Sequence, residues 1–360
     1  MRNRRLLIVD DSTLIRRAVT AAFSDQPGLE VVGAASSGRI ALMKIPLLQP
    51  DIVLLDISMP DMDGIETLAA IRQIEPRLPV IILNVPTAQG AAATLGALIH
   101  GATDFVMKPD GEVPSDAALK VLLDELVAKV GLWCPLGVHR PVLVAAKPDA
   151  PSRRESGSAA ARVDVLVIGT STGGPGALMD LIPRLPADFP VPILIVQHMP
   201  PVFTKLLADR LDATSRITVV EAGSTQSMLP GRAWVAPGDF HMEVKRDGEM
   251  VRIVTQRNPP ENSCRPAVDV LFRSVANVYG PNVLAVVMTG MGQDGLRGCQ
   301  QIQTAGGQIL VQDEASSVVW GMPGFVARAG LADQVLPLSR LGDEIIARAW
   351  RQRRPVRAAV

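Results

Sequence analysis

The sequence predicts two α/β domains, each built on a mainly parallel β-sheet. The first observation is length, because 360 residues exceed what one hydrophobic core usually serves. The second is a repeated alternation of short apolar runs with segments of helical spacing, found both before and after a stretch of linker composition. Continuous apolar strands separated by helices are typical of a parallel sheet that helices cover on both faces.

The elements of the first domain follow in order along residues 1–130. Five apolar runs are predicted strands, and they lie at 6–9, 30–34, 52–55, 80–83 and 104–107. Segments with helical spacing lie between or after them, at 12–23, 64–74 and 115–131. Five such units predict a flavodoxin-like, doubly wound sheet.

A linker and a second domain follow. Residues 147–161 (KPDAPSRRESGSAAA) are rich in Pro, Ser, Ala and charge, and we place the linker at 131–162 and the second domain at 163–350. Its predicted strands lie at 163–169, 192–197, 217–221, 232–236, 282–289 and 308–312. This second alternation predicts a mainly parallel, Rossmann-like α/β sheet. The Ala- and Arg-rich residues 344–360 are expected to be helical or frayed.

Charge and cysteine content exclude several classes of protein. Basic and acidic side chains number 36 each, which argues against the basic patch of a nucleic-acid-binding protein. The three cysteines (Cys134, Cys264 and Cys299) lack metal-ligand spacing, and we interpret them as reduced thiols. The apolar run at 6–9 is too short for a signal peptide, and no apolar stretch has the length of a membrane span. We therefore expect a cytoplasmic protein with no direct membrane insertion.

Charged side chains follow three predicted strands of the first domain. Asp10 and Asp11 follow the first strand, Asp56 follows the third, and Lys108 follows the fifth. A single Asp in such a place is more often a helix cap than a functional group. Four charged residues at the carboxyl ends of neighbouring strands are harder to explain by capping. Because like charges repel, the cluster predicts a divalent cation such as Mg²⁺ with hard oxygen ligands.

The motifs around these residues resemble a response-regulator receiver domain over residues 5–110. They are IVDD at 8–11, LD at 55–56 with MP and Gly64 after it, and KP at 108–109. The resemblance implies a role for each of the following: phosphoacceptor Asp56, Mg²⁺ ligands Asp10, Asp11 and Asp56, phosphoryl contact Lys108, and switch aromatic Phe105.

One position departs from the receiver pattern. Receivers carry a Ser or Thr hydroxyl at the end of the fourth strand, where this chain has Asn84. Thr87 and a shifted loop are the alternatives. An Asn amide can still donate to a phosphoryl oxygen. We expect the coupling between phosphorylation and output to differ here from the usual hydroxyl switch.

The first candidate functional motif of the second domain is a turn of small residues, GTSTGG at 169–174. It lacks the G-x-G-x-x-G spacing of a dinucleotide loop, and no Gly-Lys-Ser/Thr follows to make a Walker loop. It does match G-x-S-x-G, the turn between a strand and a helix that exposes a serine hydroxyl. Small residues in a tight turn are also common for purely structural reasons, so Ser171 is a candidate nucleophile that needs partners.

A serine nucleophile needs a histidine base. The chain has four histidines, of which His100 lies in the first domain and His139 in the linker. His198 directly follows the predicted strand 192–197 and is expected on the same sheet edge as Ser171. His241 follows a Pro-Gly-Asp turn and is the second candidate.

The base in turn needs a carboxylate that orients it. Asp294 stands in the glycine-rich loop TGMGQDG at 289–295, after a strongly apolar strand. Glycines there allow close approach of the backbone, whose amides can donate to a developing oxyanion. Asp239 and Asp313 are alternative carboxylates. The chain order Ser, His, Asp differs from the Ser, Asp, His order of α/β-hydrolases and disfavours that fold.

Six separated motifs resemble the catalytic domain of protein-glutamate methylesterases over residues 163–340. They are GTSTGGP, IVQHMP, APGDFHM, CRPAVDVLFRSVA, VVMTGMGQDG and DEASSVVWGMP. The resemblance implies that Ser171 is the nucleophile, His198 the general base and Asp294 its orienting carboxylate. It also places three residues at the oxyanion or in the pocket: Thr172, the backbone of Met291, and His241.

Together the two resemblances imply a phosphorylation-activated esterase for sensory adaptation. The expected substrates are glutamyl methyl esters on methyl-accepting chemoreceptors, with deamidation of glutamines as a related activity. A chemotaxis-type histidine kinase is the expected phosphodonor, and Mg²⁺ is needed for phosphorylation but not for ester hydrolysis. The alternative is a catalytically silent or constitutive signalling or docking module in a chemosensory pathway.

Overall fold

The computed structural model describes residues 3–24, 26–85, 87–109, 115–133 and 162–351. Its contacts divide the chain into two compact units, Met1–Ala159 and Ala160–Val360, and each is described by itself. Most of the predicted linker, residues 134–161, lies outside the described residues, as do Cys134, His139 and residues 352–360. Within the described ranges, no helix combines the length and hydrophobicity needed to cross a membrane.

The first unit is a five-stranded parallel sheet with the strand order β2-β1-β3-β4-β5. Its strands are β1 (Arg4–Val9), β2 (Leu29–Ala35), β3 (Ile52–Asp56), β4 (Val80–Asn84) and β5 (Asp104–Met107). Its helices are α1 (Thr13–Ser24), α2 (Gly38–Leu48), α3 (Gly64–Ile74), α4 (Ala88–Ile99) and α5 (Asp116–Trp133). The predicted flavodoxin-like sheet is confirmed, and each predicted strand is present to within two residues.

Apolar spacing explains how the helices of this unit pack. In α1, Ile15, Val19 and Phe23 recur every four residues and are all buried, so that one face of the helix covers the sheet. Side-chain oxygens cap the helix starts. Asp63 accepts a hydrogen bond from Glu66 N at α3, and Thr87 accepts one from Gly90 N at α4.

The second unit contains a seven-stranded parallel sheet with the order β15-β14-β13-β6-β7-β10-β8. Its strands are β6 (Val165–Thr170), β7 (Ile193–Gln197), β8 (Thr218–Glu221), β10 (Arg232–Val235), β13 (Val283–Val287), β14 (Gln308–Gln312) and β15 (Gln334–Leu336). The helices of this unit are α6 (Gly174–Leu181), α7 (Phe203–Thr214), α8 (Val268–Tyr279), α9 (Leu296–Thr304), α10 (Met322–Arg328) and α11 (Leu338–Trp350). The predicted parallel α/β fold is confirmed.

A second, antiparallel sheet of three strands was not predicted. It consists of β11 (His241–Asp247), β12 (Met250–Gln256) and the short β9 (Gln226–Ser227), in the order β11-β12-β9. The tight turn between β11 and β12 pairs Asp247 with Met250, and Gly248 in the turn has φ 60°. A Gly with positive φ suits such a turn because it lacks the Cβ that would clash.

The strand order of the large sheet brings three chain segments together at one edge. β6 lies between β7 and β13, and all three run parallel. Thr170 pairs with Gln197, so Ser171 and His198 are the next residues on adjacent strands. The loop after β13 leaves the sheet at the same edge. Every residue of these three strands is buried, which fixes their register firmly.

Candidate active site

The turn after β6 holds Ser171 through backbone hydrogen bonds. Ser171 N donates to Thr289 O at 3.0 Å, and Gly174 N donates to Ser171 O at 2.7 Å. A Cβ on Gly290 would lie 2.9 Å from Ser171 Cβ, which is too close for any residue other than glycine. The glycine-rich loop after β13 therefore packs directly against Ser171.

His198 and Asp294 form the central pair of the site. His198 Nε2 lies 2.8 Å from Asp294 Oδ2, and the two side chains are 12% and 2% exposed. Because a carboxylate only accepts hydrogen bonds, Nε2 carries the proton. In the neutral ring, Nδ1 is then the nitrogen with the free electron pair and the one that can act as a base.

Asp294 is held by the start of α8 as well as by His198. Val268 N donates to its Oδ2 at 2.7 Å, and Asp269 N donates to its Oδ1 at 2.9 Å. Gly295 N and Asn262 Nδ2 also donate to Oδ1, at 3.0 and 2.9 Å. The carboxylate therefore caps a helix to which it is not connected in sequence, and the helix dipole favours its negative charge.

The pKa values of the pair follow from these contacts. Burial raises the pKa of Asp294, but hydrogen bonding and charge from His198 and the two α8 amides outweigh burial and lower it below its usual value. Burial lowers the pKa of His198, but the hydrogen bonds with Asp294 and Cys264 outweigh burial and raise it to about 9. The pair thus favours an imidazolium next to a carboxylate at neutral pH.

Three residues that the sequence analysis did not assign contact this site. Cys264 Sγ lies 3.5 Å from His198 Nδ1, on the side of the ring opposite Asp294. Gln197 Nε2 donates to Ser171 O at 3.0 Å and to His198 O at 3.2 Å, and so links the turn of Ser171 to His198. The third is Asn262, whose Nδ2 donates to Asp294 Oδ1. Gln197 and Cys264 are part of quoted motifs and Asn262 lies two residues before one, but their contacts depend on the folded loops.

Thr172 follows Ser171 in the chain, and Met291 follows the glycine that packs against Ser171. Thr172 O accepts a hydrogen bond from Thr289 Oγ1 at 2.9 Å, and Met291 directly follows Gly290, which contacts Ser171. The side chain of Met291 is 41% exposed. The positions of both residues suit an oxyanion site, and their roles there stay a prediction.

The other candidates of the second domain have different partners. His241 is buried, its Nδ1 accepts a hydrogen bond from Ala267 N at 3.2 Å, and its Nε2 lies 3.1 Å from Pro259 O. His241 thus holds the backbone of Ala267, the residue directly before α8. Asp239 forms ion pairs with Arg257 and Arg265. Asp313 accepts hydrogen bonds from the amide and the hydroxyl of Ser316, so among the three candidate carboxylates the partner of His198 is Asp294.

The first unit brings its predicted charges together at the carboxyl edge of its sheet. Lys108 Nζ lies 3.1 Å from Asp10 Oδ2 and 2.8 Å from Asp56 Oδ2, and both carboxylates are buried. Burial, with the Asp56 charge added, raises the pKa of Asp10 to about 6 against the opposing effect of Lys108. Burial also raises the pKa of Asp56. One oxygen each of Asp10, Asp11 and Asp56 lie within 4.8 Å of one another, a set of hard ligands that fits Mg²⁺.

Asn84 is engaged with α4 in this structure. Its Nδ2 donates to Gly90 O at 2.7 Å and to Thr94 Oγ1 at 2.9 Å, while its Oδ1 accepts from Val85 N at 2.8 Å. Both hydrogens of the amide are used, so the donor proposed for a phosphoryl oxygen is occupied here. Thr87, the alternative, caps α4.

Phe105, the predicted switch aromatic, is 8% exposed, and Lys129 Nζ lies 5.0 Å from the centre of its ring. An ammonium group at this distance makes a cation–π contact that favours the inward ring position. The role of Phe105 in switching stays a prediction.

Comparisons with known proteins agree with this architecture. A family model described as CheB methylesterase matches residues 166–345, and one described as response regulator receiver domain matches residues 6–115. A protein of Trichodesmium erythraeum (strain IMS101) named protein-glutamate methylesterase/protein-glutamine glutaminase is 51% identical over 350 residues, covering 96% of this chain and 98% of that protein. A protein of the same name from Nocardioides sp. (strain ATCC BAA-499 / JS614) is 46% identical over 357 residues, covering 97% and 96%.

A solved structure supports the same relationship for the second unit. The crystal structure of the Thermotoga maritima CheB methylesterase catalytic domain is 43% identical, with a TM-score of 0.51. The match covers 52% of this chain and 99% of that one. Since relatives also match nearly the whole chain at 46–51% identity, the chain belongs to the receiver-containing CheB methylesterases, the protein-glutamate methylesterase/protein-glutamine glutaminase family.

Proposed function

We propose that this chain hydrolyses glutamyl methyl esters on methyl-accepting chemoreceptors, with Ser171, His198 and Asp294 as its catalytic residues. The observation that carries the proposal is the His198–Asp294 hydrogen bond of 2.8 Å at the strand end next to Ser171. A nucleophile, a base and an orienting carboxylate are the groups that acyl transfer to water requires.

The reaction begins with attack of Ser171 Oγ on the ester carbonyl carbon. His198 Nδ1 takes the serine proton, because Nε2 is already engaged with Asp294. The tetrahedral intermediate collapses, the C–O bond to the methoxy group breaks, and His198 returns the proton to the departing methanol. Water then attacks the acyl-enzyme with the same base, which releases the glutamate and restores Ser171.

The loop after β13 and the turn after β6 supply the groups around the oxyanion. Backbone amides at Thr172 and Met291 are the proposed donors, since both residues are adjacent to positions in contact with Ser171 or its turn. His241 acts only indirectly, through the backbone of Ala267. A glutamine side chain offers a carbonyl of the same shape, so deamidation follows by the same steps with ammonia as the leaving group.

The receiver unit controls this reaction in the proposal. Asp56 accepts the phosphoryl group from a chemotaxis-type histidine kinase, and Lys108 contacts that group. Asp10, Asp11 and Asp56 would hold Mg²⁺, which would supply positive charge for the phosphoryl transfer. Asn84 and Phe105 belong to the segment that responds to phosphorylation. The kinase and receptor partners, and a cytoplasmic location, are part of the same proposal.

The test is release of methanol from a methylated chemoreceptor by the full chain, with and without acetyl phosphate and Mg²⁺. We expect release that increases with the phosphodonor and is lost in Ser171→Ala. Release without an increase would support a constitutive esterase. No release from a receptor that a known methylesterase demethylates would favour a silent docking module and reject the proposal.

A further inference from the structure

Asn262 joins two buried carboxylates in the wall of the active site. Its Nδ2 lies 2.9 Å from Asp294 Oδ1 and 3.0 Å from Asp269 Oδ2. Only the NH₂ end of the amide can make both contacts, because a carboxylate accepts but does not donate. Each of the two amide hydrogens therefore serves one carboxylate.

Both carboxylates that Asn262 joins are buried. Asp269 and Asp294 are 1% and 2% exposed, so water contributes little to the solvation of either. Burial raises the pKa of Asp269, the amide of Gly298 opposes this, and the charge of Asp294 adds to it. Two buried like charges without a donor between them tend to share one proton. A proton on Asp294 would weaken its attraction for the imidazolium of His198.

We propose that Asn262 is a positioning residue of the esterase, which keeps Asp294 ionised and turned towards His198 by donating to Asp294 and Asp269 at once. The inference deepens the proposed function and rests on it. Asn262 itself does not contact the reacting atoms. Its effect reaches the base through one hydrogen bond, which His198 Nε2 donates to Asp294 Oδ2.

The backbone around Asn262 allows its side chain to be replaced without a change in the loop. Asn262 has φ 53°, in the left-handed region that Asn, Asp and Gly tolerate best. Its neighbours are fixed independently, because Glu261 and Cys264 exchange backbone hydrogen bonds of 2.9 and 3.1 Å. Glu261 is also held by two contacts with Arg273, at 2.5 and 2.6 Å. Replacing the amide alone therefore leaves the loop anchored.

The experiment compares Asn262→Asp with Asn262→Gly in the full chain. The Asp variant keeps the shape of the side chain but replaces the donor with an acceptor, whereas the Gly variant removes the side chain and keeps the backbone conformation. Asn282→Asp is the matched control, because Asn282 Nδ2 also donates to a carboxylate, Asp164 Oδ2 at 3.0 Å, near the start of β13 and away from the site.

Two readouts are measured. In methanol release, we expect Asn262→Asp to lower kcat at least about tenfold with KM nearly unchanged, and Asn262→Gly to fall between it and the wild type. In proton NMR of the protein without substrate, the downfield signal of the His198 Nε2 proton is expected to weaken or disappear in Asn262→Asp. Asn282→Asp is expected to keep both kcat and the signal.

The outcomes separate this inference from the proposed function. An Asn262→Asp variant with the kcat and the downfield signal of Asn282→Asp would overturn the positioning role. If the wild type releases no methanol, the proposed function fails, but the NMR comparison still tests the His198–Asp294 contact. If Asn262→Asp does not fold, Asn262→Gly gives the same test, and wild-type values for it would likewise overturn the role.

Discussion

Cys264 Sγ lies 3.5 Å from Nδ1 of His198, the ring nitrogen that Asp294 leaves available. A thiol therefore lies next to the nitrogen that is proposed to take the proton of Ser171. A Cys next to a His is itself a known nucleophile arrangement, so the assignment of Ser171 has a specific competitor within the site. Ser171 remains the proposed nucleophile because it follows β6 in a strand–turn–helix segment of the G-x-S-x-G type.

Replacing each candidate nucleophile in turn distinguishes the two. We expect Ser171→Ala to lower kcat for methanol release by a factor of about 10⁴ or more, because the covalent step is lost. We expect Cys264→Ala to keep kcat within about tenfold of the wild type, since the thiol contacts the base but forms no bond to substrate. The reverse pattern, with activity lost only in Cys264→Ala, would assign the nucleophile to the thiol. Cys299→Ala controls for loss of a thiol elsewhere.

The rate of ester hydrolysis is expected to rise with pH up to about 9. His198 acts as a base only when it is neutral, and its pKa is raised to about 9, so most of the enzyme carries an imidazolium at pH 7. The kcat/KM should then increase about tenfold per pH unit below that pKa and level off above it. The measurement is methanol release from pH 6 to 10 without phosphodonor. A plateau that already begins near pH 7 would contradict the raised pKa.

The same profile tests the contact with Cys264. Its hydrogen bond with His198 contributes to the raised pKa, after the larger effects of burial and of Asp294. Cys264→Ala should therefore move the midpoint of the profile to lower pH, while Cys264→Ser, which keeps a polar partner for Nδ1, should move it less. Equal midpoints in the wild type and both variants would mean that the thiol has no influence on the base.

The sequence could predict the sheet edges but not the loops that complete the site. The proximity of Ser171 and His198 can be predicted because each directly follows an apolar strand, and adjacent parallel strands bring such positions together. Cys264 was missed because its contact with His198 spans 66 residues and depends on a loop conformation. Asn262 was missed for the same reason, since its left-handed backbone is set by the turn in which it lies.

The hairpin of β11 and β12 is missing from the predicted strands for a different reason. The dipeptide Asp247-Gly248 between two alternating runs is a hairpin signal in the sequence. The regular alternation of strands and helices on either side of it favours a parallel sheet, and a parallel sheet contains no such hairpin. The main sheet was unaffected because its strands are continuous apolar runs that are buried along their length.

Gln197 is expected to matter for catalysis although its side-chain amide donates to backbone carbonyls. Its amide donates to the carbonyls of Ser171 and His198, at 3.0 and 3.2 Å, and so fixes the two residues relative to each other. Gln197→Glu would direct a carboxylate oxygen at both carbonyls, and we expect kcat to fall about tenfold or more with a smaller change in KM. Gln303→Glu on the exposed face of α9 is the control. Similar kinetics for the two variants would remove Gln197 from a positioning role.

The last prediction concerns Asn84 and α4 in the receiver unit. Because both hydrogens of its amide go to Gly90 O and Thr94 Oγ1, Asn84→Ala leaves two buried acceptors without this donor, at a cost of about 1–3 kcal/mol. We expect faster hydrogen exchange in α4 of the full chain and a smaller increase of methanol release with acetyl phosphate. Basal release should be unchanged.

Asp56→Asn provides the comparison for that experiment, because it should abolish the response to acetyl phosphate while α4 keeps its protection. The two variants then separate loss of phosphorylation from loss of the link between β4 and α4. If Asn84→Ala responds to acetyl phosphate as the wild type does, even though exchange in α4 is faster, the anchoring of α4 by Asn84 has no part in signalling. Activation would then depend on other contacts of the phosphorylated receiver.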